Sequence, residues 1–204
     1  MAAETIERLV EQAKSGDKNA LADLFNRYKR QLRSMIAFRM DHKLKGRVDP
    51  SDILQEAYLD LAKKLPDFES KGMSFFVWLR LVVSEKLLAT HRHHLDVQKR
   101  DAGKEVRVMT NGNASSMILA EHLLGKYTSV VGKAIKVEQQ IKLKSVLDQM
   151  EETDREVIAL RIFERLSNGE ASEVLGLTKQ TTSKRFFRAI ERLRETVLEL
   201  PGFG

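Results

Sequence analysis

"LSNGEASEVLGLTKQTTSKRFFRAI", residues 166–190, describes two helical segments around a tight turn. Ser167 and Glu170 have the spacing of a capping box. A short helix is therefore expected there, with Ala171, Val174 and Leu175 turned inward. Gly176 and Leu177 form the turn, and Thr178 caps a second helix. Thr182, Phe186, Ala189, Ile190, Leu193 and Val197 share one stripe of that helix, which makes Phe186 the expected core ring. The opposite face carries Gln180, Ser183, Lys184, Phe187 and Arg188, with Lys179 at its start. Neighbours on a helix point about 100° apart, so Phe187 falls on the basic outer face. An apolar ring there can touch a thymine methyl or a sugar, while Lys184 and Arg188 reach base edges or phosphates. A solvated basic helix in an ordinary bundle is the bland alternative. The two-helix spacing, the turn glycine and the caps favour DNA binding.

Upstream, "TDRE" (Thr153, Glu156) reads as another capping box, and Val137, Ile141, Leu147 and Met150 read as one buried face. Residues 96–136 lack steady periodicity and contain "TNGNASS", so they read as a flexible linker with room for a short helix near 118–124. The expected organisation is all-α, with two small helical domains at 1–96 and 137–204 and a linker at 97–136.

The first domain opens with Ile6, Leu9, Val10 and Ala13 on a short helix, broken at Gly16. Asp17 caps a second helix bearing Leu21, Leu24, Phe25, Tyr28, Leu32, Met35 and Ile36. In "DPSDILQEAYLDLAKKLPDF", Asp49 is the expected N-cap and Pro50 stands in the first turn. Ile53, Leu54, Ala57, Tyr58, Leu61 and Leu65 form the expected buried face. Asp52, Glu56 and Asp60 stand at i, i+4 and i+8, a like-charge stripe that is either solvated or faces a basic protein. Ser74 can cap a long helix from Phe75 to about Leu95. Phe75, Phe76 and Trp78 open it, and Lys86, His91, Arg92, His93 and His94 lie towards its end. Rings beside cations suit unstacked bases, although packing in the core accounts for at least two of the three aromatics.

Composition sets the outer limits. The chain of 204 residues carries a formal net charge of +6 and no cysteine, which excludes thiol catalysis and fits a reducing compartment. No signal-peptide block and no membrane-spanning apolar run is visible, so a soluble cytoplasmic protein without membrane insertion is expected. No phosphate-binding glycine loop and no catalytic Ser/His/Asp or Cys set occurs. His91 and His94 lack further ligands around them, so neither a metal nor a cofactor is expected, and no enzymatic activity.

Together these motifs resemble the extracytoplasmic-function (ECF) group of sigma-70-type transcription initiation factors. "AKSGDKNALADLFNRY" looks like that family's opening helix pair, "DPSDILQEAYLDLAKKLPDF" like its polymerase-binding helix and "FFVWLRLVVSEKLL" like its promoter-melting helix. "MEETDREVIALRIFERLSNGEASEVLGLTKQTTSKRFFRAIERLRE" resembles its C-terminal helix-turn-helix. The resemblance implies a factor that binds core RNA polymerase, opens the −10 element with its N-terminal domain and reads −35 promoter DNA with the other. It places Asp49, Asp52, Gln55 and Glu56, with Asp60 beyond them, on the polymerase side. It places the loop 67–74, with Phe68, Lys71 and Ser74, and the helix residues Trp78, Arg80, Lys86 and Arg92 at the −10 element. Lys179, Gln180, Ser183, Lys184, Phe187 and Arg188 fall at −35. Thr182 departs from the family's usual Val-like residue, and the local form is "TTSKRFF". The sequence leaves the promoter and any anti-sigma factor open. A helix-turn-helix regulator that recruits no polymerase is the rival reading; a helical enzyme built on a metal-bound carboxylate cluster is a more distant one.

Overall fold

The computed structural model describes residues 2–40, 44, 46–69, 72–99, 116–127 and 133–198. They form α-helices and short helical turns without strands, in two compact units, Met1–Gly112 and Asn113–Gly204.

The first unit contains α1 (Ala2–Lys14), α2 (Lys18–Arg39), α3 (Pro50–Lys64) and α4 (Phe75–Lys99). Gly16, at φ 98°, turns the chain between α1 and α2. Asp17 then caps α2 by accepting from Asn19 N and Ala20 N at 2.8 and 3.2 Å. The apolar stripe of α2 is buried as its periodicity predicts: Leu24, Leu32, Met35 and Ile36 are all nearly inaccessible. Ile53, Leu54, Ala57 and Leu61 of α3 and Leu79, Val82, Val83 and Leu87 of α4 complete the core. After α3 a single turn, Leu65–Asp67, leads to Phe68. The ring of Phe68 packs at 4.7 Å from that of Trp78 and 5.6 Å from that of Phe75.

The second unit contains α5 (Ser116–Tyr127), α6 (Lys133–Asp148), α7 (Glu152–Ile158), α8 (Asn168–Leu175) and α9 (Lys179–Leu198). The segment 97–136 includes the short helix expected near 118–124: α5 is packed, with Leu119, Ala120 and Leu124 buried. α4 runs on to Lys99 and α6 starts at Lys133, both inside the expected linker. α5 has little of the one-sided apolar pattern of a surface helix, because Ser116 lies on its buried side while Met117 is 50% exposed.

α6 shows a similar shift. Its buried face is Gln139, Leu143 and Leu147, continued by Met150 in the turn that follows, while Val137 and Ile141 are 55% and 64% exposed. A buried glutamine occupies a position where an apolar residue would have marked the correct stripe. The start of α7 differs as well. Its N-cap is Glu151, so Thr153 lies inside the first turn and cannot cap it, and Glu156 is buried. Arg155 instead donates to Leu147 O and Met150 O at 3.1 and 2.6 Å, satisfying carbonyls at the end of α6. Past Ile158 the helix widens into a π-helical turn, Ala159–Phe163, where Glu164 N bonds Ala159 O at 3.0 Å.

Candidate nucleic-acid and protein interfaces

The turn between α8 and α9 is built from local chemistry. Ser167 and Glu170 form the reciprocal box: Glu170 N donates to Ser167 Oγ at 3.2 Å, and Ser167 N donates to Glu170 Oε2 at 2.7 Å. Ala171 and Ser172 are buried, whereas Val174 and Leu175 are half-buried. Gly176 ends α8 at φ 63° and ψ 29°, the left-handed region that penalises a side chain. Thr178 caps α9 by accepting from Thr181 N at 3.1 Å. Asn168 Nδ2 donates to Lys179 O at 2.8 Å, tying the first turns of the two helices together.

Thr182, the departure from a Val-like residue, is fully buried, and its hydroxyl donates to Thr178 O at 3.1 Å. Its polar atom is thereby satisfied, and burying it costs little. Ala189 and Leu193 bury beside it. Phe186 is half-buried rather than a full core ring, and the Arg161 guanidinium lies 5.4 Å from its ring centroid. Phe187 is 69% exposed. Lys179, Gln180, Lys184 and Arg188 are exposed and Ser183 is half-buried. All six residues expected to meet −35 DNA are thus at least partly accessible.

Arg185, between these residues, points elsewhere. Its Nη1 donates to Glu151 Oε2 at 2.7 Å and Asp154 Oδ1 at 2.8 Å, at the start of α7. The bond from Arg185, with its charge, holds Glu151 below the usual carboxylate range, and Arg188 adds a smaller pull. Arg185 therefore anchors α9 to α7. Its neighbours in sequence carry no sign of that role, because both acids lie more than thirty residues upstream.

On the first unit, Asp49 caps α3 by accepting from Ser51 N at 2.7 Å. Its pKa is lowered first by that bond to Ser51, and further by the Ser51 hydroxyl and the charge of Arg33. Asp52, Gln55 and Glu56 are exposed and Asp60 is half-buried. The stripe has an internal partner that sequence spacing does not reveal. Lys86 Nζ, from α4, lies 3.3 Å from Glu56 Oε2 and 3.1 Å from Asp60 Oδ2. The bond to Asp60, ahead of that to Glu56, raises the Lys86 pKa above its ordinary value. Lys64 and Glu85 cross the same helix pair in the opposite sense at 2.6 Å.

The residues expected at the −10 element divide. Phe68 and Arg80 are buried at 5% exposure each, so neither presents its side chain to a partner. Phe68 is buried because the loop folds back under the first turn of α4, with Lys14 Nζ donating to Phe68 O at 2.8 Å. Phe75 and Phe76 are core, Trp78 and Ser74 are half-buried and Arg92 is exposed. Lys71 lies outside the described residues. Lys86 is turned towards α3. Among the described residues no group of three or more His, Asp or Glu is placed to hold a metal, and no helix is long and apolar enough to cross a membrane.

Two helical units, one ending in a helix-turn-helix whose recognition helix exposes cations around a bare aromatic ring, define a DNA-binding transcription factor. The ECF sigma factor family model matches residues 3–197, and the chain belongs to that family. It is accordingly a transcription initiation factor that works with core RNA polymerase and promoter DNA, rather than a free-standing regulator. The ECF RNA polymerase sigma factor SigW of Bacillus subtilis is 26% identical over 201 residues, covering 96% of this chain and 98% of the relative. The ECF sigma factor SigD of Mycobacterium tuberculosis is 22% identical over 201 residues, covering 97% and 86%. CnrH, solved in complex with the cytosolic domain of CnrY, aligns with a TM-score of 0.52 at 22% identity, covering 94% of this chain and 96% of CnrH, a likeness of fold.

Proposed function

We propose that the two units divide promoter recognition, with α9 reading the −35 element and α3 and α4 joining core polymerase to the −10 element. The observation that carries the reading is Phe187. Apart from a ring contact with Phe186, 6.1 Å between centroids, the phenylalanine stands 69% exposed beside Lys184 and Arg188 and offers most of its surface to a partner. Gln180, Ser183, Lys184 and Arg188 supply base-edge and phosphate contacts around it, and Lys179 adds charge at the start of α9.

On α3 the exposed Asp49, Asp52, Gln55 and Glu56 meet a basic polymerase surface. Opening at −10 falls to Trp78, the half-buried ring that Phe68 and Phe75 brace from beneath, and to Arg92. Phe68 acts from within the core, by supporting that ring. Strand opening draws on binding energy released on an unstacked base, so the factor performs no bond chemistry of its own. Its place of action is the compartment that holds polymerase and promoter, the cytoplasm.

In vitro transcription with core polymerase over a randomised promoter library tests the reading. Enrichment of two separated sequence blocks, the upstream one lost on Phe187→Ala, is expected. Enrichment of no block, or of a block indifferent to every exposed residue of α9, would overturn it.

A further inference from the structure

The proposed reading turns α4 towards the promoter and α3 towards polymerase, and Lys86 belongs to one helix while it is bonded to the other. Its Nζ lies between Asp60 Oδ2 at 3.1 Å and Glu56 Oε2 at 3.3 Å. The Lys86 side chain is 22% exposed, whereas Glu56 and Asp60 are 61% and 33% exposed. A cation arriving on α3 therefore reaches the outer faces of both carboxylates. Each carboxylate oxygen can accept more than one bond, but every added cation weakens the hold on Lys86 by like-charge repulsion. A further tie across this helix pair, Lys64 to Glu85, joins one acid to one base, both more than half exposed, and is a plain surface ion pair. Lys86 differs because it bridges two carboxylates on the stripe that the proposed function gives to polymerase.

We propose that Lys86 is a shared cation that couples the two partners: Glu56 and Asp60 hold it in the free chain, and a basic polymerase surface docking on those carboxylates releases its charge to the phosphate backbone of the promoter strand. The inference rests on the proposed roles of α3 and α4. The coupling is reciprocal, so DNA that captures Lys86 also bares the carboxylates for polymerase.

The test uses the full chain without polymerase and a pool of short random-sequence single-stranded deoxyoligonucleotides, at two salt concentrations. E56Q/D60N imitates the docked state by removing the carboxylate charges. Its DNA affinity is expected to rise about two- to fivefold, the range that a partly exposed ion pair supports. Its salt slope should steepen by about 0.7, one added contact to a single strand. K86Q in the E56Q/D60N background should abolish both gains, and K86R should keep them. D52N removes a charge from the same stripe that does not touch Lys86, so any gain it gives should survive K86Q. If E56Q/D60N melts below the assay temperature, E56Q alone serves with a smaller gain, since Asp60, the nearer partner at 3.1 Å, still holds Lys86.

A gain that persists without Lys86 would be a general charge effect and overturns the proposal, as does the absence of any gain. Initiation by the wild-type chain with core polymerase, measured in parallel, separates the failures. An initiating chain without coupling sinks only this inference. A chain that never initiates sinks the reading of α3 and α4 on which it rests.

Discussion

The adjacent rings of α9 make opposite predictions. Phe186 is half-buried under Arg161, with the guanidinium 5.4 Å from its centroid. Truncating a fully buried phenylalanine costs about 3–5 kcal/mol. A half-buried one loses roughly half the transfer term and leaves a site partly open to water, so about 2 kcal/mol is expected for Phe186→Ala. The contact with Arg161 contributes about 0.5–1 kcal/mol of that total. Phe187, 69% exposed, should lose no more than about 0.5 kcal/mol on truncation, as surface substitutions do. Its cost appears on DNA. Losing an apolar contact with a thymine methyl should weaken binding to the preferred −35 duplex by roughly 1 kcal/mol, about fivefold, and binding to random duplex far less. The assay pairs thermal melting of each full-length variant with its affinity for specific and random duplex at two salt concentrations. The reasoning is refuted if Phe187→Ala melts like a core mutant while Phe186→Ala stays folded and loses DNA. It also fails if neither change touches DNA binding.

Asp52→Lys should lower affinity for core polymerase about tenfold, because Asp52 is exposed and outside the reach of Lys86; unchanged retention by immobilised core enzyme would contradict this. Gly176→Ala should destabilise the second unit by about 1–2 kcal/mol through backbone strain alone, since a Cβ there meets nothing within 4 Å; an unchanged denaturation midpoint would show that the turn relaxes freely. The bond to Arg185 makes the Glu151 pKa lower in the folded chain than in the unfolded one, so its stabilising contribution is complete above the ordinary glutamate range and is lost as pH falls through the folded value. Melting of Glu151→Gln should therefore lie below wild type at neutral pH and converge with it in acid; a gap that widens in acid would reverse the assignment.

What was legible in the sequence followed from chemistry within a few residues. Asp17, Asp49, the Ser167–Glu170 box and Gly176 mark helix ends because each cap bonds a backbone group two to four positions away. The phase of α9 was legible for the same reason, since Thr182, Ala189 and Leu193 repeat on one face. Sequence reading fails at residues whose partners lie on another element. Phe68 looks like a loop residue until the chain folds it under Trp78 with Lys14 on its carbonyl. Val137 and Ile141 outweigh Gln139 in any apolar count, yet the helices packed on α6 bury the glutamine. Arg185 reads as one more basic residue of a recognition helix until α7 brings Glu151 and Asp154 beside it.

The acidic stripe of α3 joins these cases to function. Spacing shows that Asp52, Glu56 and Asp60 repel along one helix, and repulsion without a partner points outward to a basic protein. The core of the first unit sets α4 against α3, and Lys86 takes two of the three carboxylates. Repulsion on the isolated helix is thus relieved before any partner arrives, so self-repulsion alone cannot drive docking. A polymerase surface must offer Glu56 and Asp60 more than Lys86 does, or take Asp52 and Gln55 first. The affinity of the stripe is then set by a difference between an internal and an external cation, and the internal hold that must be overcome is weak because its groups are partly exposed.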